Sequence, residues 1–103
     1  MPAFVAINFL ERFRDSMLNN VKTSTTRMKP MGHVGDRFMA FGAEFEILSV
    51  EHVHLGDVAD ILWKEEGATS RDEFIEIWKS IHPRKGFDPK RRAWLHHFRR
   101  VTS

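Results

Sequence analysis

The sequence predicts an α+β fold in which about three helices pack around a small, mixed or mostly antiparallel β-barrel or sheet. The first observation is the order of the inferred elements: strand, helix, several strands, two helices, strand. That order differs from the alternation of strands and helices that builds a parallel sheet. The second observation is the length of 103 residues, which suits one domain over 1–103, with nine Phe and three Trp available for its core.

The first part of the chain predicts a strand, a helix and a polar strand. The apolar run Ala3–Ile7 is expected to form a buried strand. A helix follows over 9–20, where Asn tolerates the left-handed terminal position. Its apolar stripe is Phe9, Leu10, Phe13, Met17, Leu18 and Val21. The next segment, "KTSTTRM", is rich in β-branched residues and favours a strand.

The remaining elements follow a turn region at 29–36 that contains one proline and two glycines. Residues 37–41 and 43–55 are predicted as strands, although the alternation in the second is imperfect. A helix over 55–66 is expected to bury Val58, Ile61 and Leu62. The final strand covers 93–101, with Trp94, His96 and Phe98 on one side.

The clearest helix is predicted over 70–82. Ser70 and Glu73 have the spacing of a capping box, and Pro83 ends the helix. The expected buried stripe is Phe74, Ile77, Trp78 and Ile81.

Composition excludes several classes of protein. The chain has no cysteine, so it has no disulfide framework, thiolate nucleophile or cysteine-based zinc site. The start of the sequence, "MPAFVAINFLERF", lacks the basic and long apolar segments of a signal peptide or a membrane span. We therefore expect a cytoplasmic protein without a membrane partner.

Charge is distributed unevenly along the chain. Residues 44–76 carry two Lys or Arg against ten Asp or Glu, whereas residues 77–103 carry eight against one. A folded domain with one acidic and one basic face fits this pattern, and the basic face would attract phosphate. Pairing of the acidic and basic segments on the surface fits it equally well.

The sequence predicts neither a metal site nor a cofactor. His52 and His54 would share one face of a strand, but no third ligand can be assigned from spacing. Neither of the glycine-rich patterns that bind phosphate is present in "MGHVGD".

One stretch concentrates hydroxyl groups and positive charge: "VKTSTTRMK", Val21 to Lys29. A lysine activates a neighbouring hydroxyl group when burial or a nearby cation lowers its pKa, and Arg27 is a candidate cation. In a regular strand, however, Lys22 and Thr25 point to opposite faces, so direct contact requires a bend. On these residues alone, a plain polar strand is the favoured interpretation.

The segment containing this stretch, "FLERFRDSMLNNVKTSTTR", resembles the opening of ASCH domains, which are related to PUA domains. The motifs "KTSTTR", "GD" before a strand, "EEGATSRDEF", "W..IHP" and "WLHHF" occur in the ASCH-like order over nearly the whole chain. The resemblance implies a small PUA-like β-barrel with helices around a cleft, and an RNA-related role.

Some small members of this family hydrolyse the amide of N4-acetylcytidine and related acylated cytidines. The resemblance implies Thr25 as nucleophile, Lys22 as its base and Glu66 as a proton relay or orienting group. Arg27 matches the arginine that closes the strand motif.

Two functions therefore stay open. The first is an RNA- or nucleoside-binding module, with Trp94 or Phe41 available to stack on a base. Its phosphate-contacting residues would be Lys22, Arg27, Lys29, Arg84, Lys85, Lys90 and Arg91. The second is an amidohydrolase that acts on a modified nucleoside through Lys22, Thr25 and Glu66. A weak homo-oligomer is compatible with either.

Overall fold

The computed structural model describes residues 2–102 and contains a four-stranded antiparallel sheet in the order β1-β4-β3-β2. The helical elements are a 3-10 turn at Glu11–Phe13, α1 at Arg14–Leu18, α2 at Leu55–Ile61 and α3 at Arg71–Ile81. The strands are β1 at Ser24–Arg27, β2 at Arg37–Ala40, β3 at Ala43–His54 and β4 at Arg92–Arg100. This arrangement confirms the predicted α+β fold.

The N-terminal run was expected to be a strand, and this prediction was wrong. Residues 3–7 make a single parallel bridge with Arg37, where the Val5 amide donates to the Arg37 carbonyl at 2.8 Å. Beyond this bridge, no backbone hydrogen bond joins 3–7 to the rest of β2 among the described residues, so the run does not form a strand. Ile7 is nevertheless buried, which explains the apolar pattern.

The first helix is shorter than predicted. It ends at Leu18, because Asn20 takes a left-handed conformation with φ of 58° and the Val21 and Lys22 amides both turn back to the Ser16 carbonyl. Phe13 and Met17 are buried as expected, whereas Leu10 and Val21, at the ends of the predicted stripe, are exposed.

The long ladder between β3 and β4 organises the sheet. Ile47 pairs with Phe98 and Ser49 pairs with His97, so Leu48 is an extra residue in a β-bulge. Leu48 is exposed, and the bulge explains why the predicted alternation along β3 was imperfect. At one end of the ladder, the rings of Phe38, Phe45 and Phe98 form an aromatic cluster with centroids 5.3–5.5 Å apart.

The helices α2 and α3 are positioned as predicted, with differences at their ends. The buried stripe of α2 is Leu55, Val58 and Ala59, and Ile61 lies beyond its edge and is 70% exposed. In α3, Phe74, Ile77 and Trp78 are buried, but Ile81 is 49% exposed.

The predicted cap of α3 is formed. Ser70 Oγ accepts a hydrogen bond from the Glu73 amide at 3.0 Å, while the Glu73 carboxylate accepts from the Thr69 amide at 2.9 Å instead of the usual Ser70 amide. Within the described residues, no helix is long and apolar enough to cross a membrane.

Candidate functional site

A cavity of about 620 Å³ opens between β1, the segment before α1, and α3, and we call it the cleft. One side of the cleft is apolar and aromatic. The other side is polar and comes from β1 and from the turn after α2. The main aromatic residues that line the cleft are Phe9, Phe13, Phe74 and Trp78. The main polar residues that line it are Lys22, Thr25, Thr26, Arg27, Lys29, Glu66 and His82.

Lys22 lies at the inner end of the cleft and is only 3% exposed. Its Nζ donates to the main-chain carbonyls of Ser24 at 2.8 Å and Glu66 at 2.6 Å. The ammonium also lies 4.5 Å from the centroid of the Phe13 ring, a cation–π geometry. Lys22 precedes β1, so the alternation of a regular strand does not determine where its side chain points.

The environment lowers the pKa of Lys22 to about 8 from its usual 10.5. Burial is the main cause, because it penalises the charged form. The positive charge of Arg27 adds to the effect, and the negative charge of Glu66 opposes it. Near pH 8, Lys22 therefore exists in both protonation states.

Glu66 is a buried carboxylate, 5% exposed, held from β1. Ser24 Oγ donates to one carboxylate oxygen at 2.5 Å, and the Thr26 amide donates to the other at 3.1 Å. The turn that carries Glu66 is itself fixed to the chain before β1, because the Glu65 carbonyl accepts from the Thr23 and Ser24 amides. These contacts between 23–26 and 65–66 place Glu66 beside Lys22.

Thr25 and Arg27 form a second polar pair in the cleft. Arg27 Nε donates to Thr25 Oγ1 at 2.9 Å, and Arg27 Nη2 donates to the Asn8 carbonyl at 2.7 Å. The guanidinium lies 5.0 Å from the Phe9 ring centroid. Because Thr25 Oγ1 accepts from Arg27, its own hydroxyl hydrogen is left to donate. Among the described residues, no hydrogen bond joins Lys22 Nζ to Thr25 Oγ1.

Thr26 supplies an unmatched polar group. Its side-chain oxygen is buried and has no hydrogen-bond partner among residues 2–102. Buried hydroxyl groups are rarely left without a partner, and an unmatched one at a cavity wall is a natural contact for a polar ligand.

Sequence reasoning missed His96, which is fully buried behind the cleft. The Met31 amide donates to its Nε2 at 2.9 Å, so Nδ1 carries the proton and donates to the Thr25 carbonyl at 3.2 Å. Burial is the main cause of a lowered pKa for His96, which keeps the ring neutral. The only sequence signal was its predicted position on the same face of the final strand as Trp94 and Phe98, which does not reveal this role.

The predicted site residues separate into two groups. Lys22, Thr25, Arg27, Lys29 and Glu66 all line the cleft. The predicted phosphate contacts between α3 and β4 do not line it: Arg84, Lys85, Lys90 and Arg91.

The segment that carries these four cations packs elsewhere, on the start of α2. There, the Gly56 amide donates to the Pro89 carbonyl and the Leu55 amide donates to the Arg91 carbonyl. Of the two predicted stacking residues, neither Trp94 nor Phe41 lines the cleft. Over residues 2–102, no three His, Asp or Glu side chains are grouped to hold a metal ion.

Known structures share this fold at low sequence identity. An ASCH domain from Lactobacillus crispatus JV V101 superposes with a TM-score of 0.65 at 18% identity, covering 95% of this chain and 79% of that one. The chain has the fold of an ASCH domain. The fold implied by the sequence resemblance is therefore confirmed.

Two further structures agree. A protein from Enterococcus faecalis V583 gives a TM-score of 0.65 at 16% identity over 98% of this chain and 80% of its own. A protein from Pyrococcus furiosus, solved by NMR, gives 0.63 at 13% identity over 100% of both chains. Comparison with protein-family models and with curated protein sequences gives no match.

We expect Gly67→Ala to disturb the buried lysine directly. Gly67 has a φ of +93°, and an added Cβ would lie 3.0 Å from Lys22 Cδ and 3.1 Å from Phe13 Cδ1. Gly86 also has positive φ, +62°, but nothing lies within 4 Å of its added Cβ, so Gly86→Ala is the matched control. In urea unfolding, Gly67→Ala should lower the free energy of unfolding by about 1–3 kcal/mol more than Gly86→Ala does. Equal losses would contradict close packing on Lys22.

Stability should depend on pH through Lys22. The folded pKa, about 8, lies below 10.5, so the unfolded chain binds more protons between these values and the free energy of unfolding should rise with pH. Relative to Lys22→Met, which does not titrate, the rise should reach at most about 3 kcal/mol. Urea unfolding of both proteins across this window measures the difference. A difference that does not change with pH would show that Lys22 is not buried as described.

Proposed function

We propose that this protein is a member of the ASCH family that binds a nucleoside, or one nucleotide of an RNA, in the cleft. The observation that carries the proposal is the unmatched Thr26 hydroxyl next to the Glu66 carboxylate, at the polar side of an aromatic cavity of about 620 Å³. That volume lies in the range typical of small-molecule sites, and a mostly apolar lining with a few convergent polar groups is their usual composition.

The polar groups suit the edge of a nucleobase. Each Glu66 oxygen accepts one hydrogen bond from the protein and retains a lone pair for a ligand N–H. The Thr26 hydroxyl has no hydrogen-bond partner among the described residues and would donate to a base carbonyl after a small rotation of its buried side chain. A cytosine edge offers both partners, an exocyclic amino group and a carbonyl oxygen, and we therefore name cytidine as the test ligand.

The aromatic side of the cleft suits the faces of a base. Phe9 and Trp78 both line the cleft, and Trp78 is already stacked on His82 with ring centroids 4.1 Å apart. Proteins that bind unpaired nucleotides commonly stack them on such rings. Arg27 and the exposed Lys29 bring positive charge to the same cavity, where a phosphate group would be attracted.

A second candidate is hydrolysis of N4-acylated cytidine, and the lowered pKa of Lys22 favours it. Neutral Lys22 would take the proton of the Thr25 hydroxyl as Thr25 Oγ1 attacks the acyl carbonyl. The bond between the acyl carbon and N4 then breaks, and the proton held by Lys22 passes to the leaving amine of cytidine. Water hydrolyses the resulting Thr25 ester to release the carboxylic acid. This route requires the Lys22 amine to turn from its two carbonyl partners toward Thr25.

Isothermal titration with cytidine tests the binding proposal. Glu66→Gln and Thr26→Val should each weaken binding about tenfold, because each removes one charged or hydroxyl contact to the base edge. The control is Lys64→Ala, which changes an exposed lysine outside the cleft. The proposal fails if the wild-type protein does not bind cytidine, or if all three variants bind it as the wild type does.

Chromatography of N4-acetylcytidine, free and within RNA, tests hydrolysis. If the protein is this hydrolase, the wild type should release cytidine and acetate, and Lys22→Ala should release no product. The rate of hydrolysis should also rise with pH toward about 8, where Lys22 becomes neutral. Absence of product from both forms of the substrate would reject this activity while leaving the binding proposal intact.

A further inference from the structure

A second aromatic site lies outside the cleft, on the sheet. Trp94 of β4 and His52 of β3 are paired across the ladder, and their rings stack with centroids 4.3 Å apart and planes inclined by 11°. His52 is exposed and Trp94 is half-buried. On its other side, Trp94 pairs with Arg27 of β1, which lines the cleft. One row of paired residues therefore runs from the cleft to this aromatic pair.

A groove of about 370 Å³ lies beside the aromatic pair. It is lined by Pro30, Gly32, His33, Val34, Val50 and Trp94. The segment 28–32 separates this groove from the cleft, because Met28, Lys29 and Met31 line the cleft while Pro30 and Gly32 line the groove. The hydrogen bond from the Met31 amide to His96 holds this wall, which is one chain thick.

The charges around the groove suit a phosphate backbone. Lys29, on the wall, is exposed. Arg92 is also exposed, and it lies two residues before Trp94 on β4, where it pairs with His54 of β3. Neither forms an ion pair with a carboxylate among the described residues. The nearby carboxylate of Asp36 faces His33, since it accepts from the His33 amide at 2.8 Å and lies 3.6 Å from Nδ1 of the His33 ring. Glu51 alternates with His52 along β3 and so points to the opposite face.

We propose that the groove and the His52–Trp94 pair bind a second nucleotide, adjacent to the one in the cleft. The ligand is then a single-stranded RNA segment that crosses the wall at Lys29. This inference rests on the proposed function and extends it from one nucleotide to two. Neighbouring strands lie about 4.8 Å apart, so the row from Arg27 to His52 spans roughly 10 Å. A duplex would not fit, because its bases are stacked on each other and cannot be splayed into two separate sites.

The test compares ligands of different length on the full chain. Isothermal titration is done with cytidine, with a single-stranded cytidine tetranucleotide and with the same tetranucleotide in a duplex. One added base stack should make the tetranucleotide bind about tenfold more tightly than cytidine. Trp94→Ala and His52→Ala should remove this gain and leave cytidine binding unchanged, whereas Trp94→Phe, which keeps a stacking ring, should retain most of it.

The outcomes separate this inference from the proposed function. If cytidine binds but the tetranucleotide binds no more tightly, or gains equally in Trp94→Ala and His52→Ala, the second site is rejected and the cleft proposal stands. If neither ligand binds, both proposals fail. Tetranucleotide binding that depends on Trp94 but not on Glu66 would overturn the adjacency of the two sites. Equal binding of the duplex would show attraction by charge alone and would reject the second site.

Discussion

The burial of Lys22 is the interaction on which the site depends. An ammonium group removed from water is costly unless its hydrogens are bonded, and here the carbonyls of Ser24 and Glu66 accept them while the Phe13 ring faces the charge. Those two carbonyls belong to the start of β1 and to the turn after α2. Lys22 therefore joins the chain at the start of β1 to Glu66, which lies 44 positions further along the sequence than Lys22. The junction of these two segments lies at the inner end of the cleft.

The same junction constrains the chemistry. The Glu66 carboxylate accepts from the Ser24 hydroxyl and the Thr26 amide, and the Thr25 hydroxyl accepts from Arg27. Among the described residues, Lys22 Nζ bonds the main-chain carbonyl of Glu66 and makes no hydrogen bond to the side chain of either proposed catalytic partner. Two of the three ammonium hydrogens are bonded to main-chain carbonyls, and the Thr26 hydroxyl has no partner among the described residues, which is why we propose recognition of a polar ligand before attack on it. Hydrolysis needs a rearrangement of Lys22, and its low pKa supplies the neutral form that such a rearrangement would use.

The sequence predicted which helices and strands form better than it predicted where each one begins and ends. Ser70 and Glu73 located α3, because a cap acts through bonds between neighbours. The left-handed Asn20 that follows α1 was expected from the Asn pair, because asparagine tolerates that conformation, whereas the bulge depends on the register of β4 and does not follow from local pattern. "KTSTTR" supplies four residues that line the cleft, and their part in binding or catalysis stays a prediction. The roles of His96, Phe9 and Trp78 were not predicted, because they depend on contacts between segments distant in the chain. Nor did charge counting distinguish Lys29, in the cleft, from Arg84, outside it.

The most direct test of the account is an NMR titration of the Lys22 side chain, labelled with ¹³C at Cε, from neutral to alkaline pH with and without cytidine. The account predicts a titration midpoint at about 8, set by burial, and a change in the Lys22 resonance when cytidine is added, because the ligand occupies the cleft that Lys22 closes. A midpoint near the usual 10.5, together with a resonance that cytidine leaves unchanged, would contradict it.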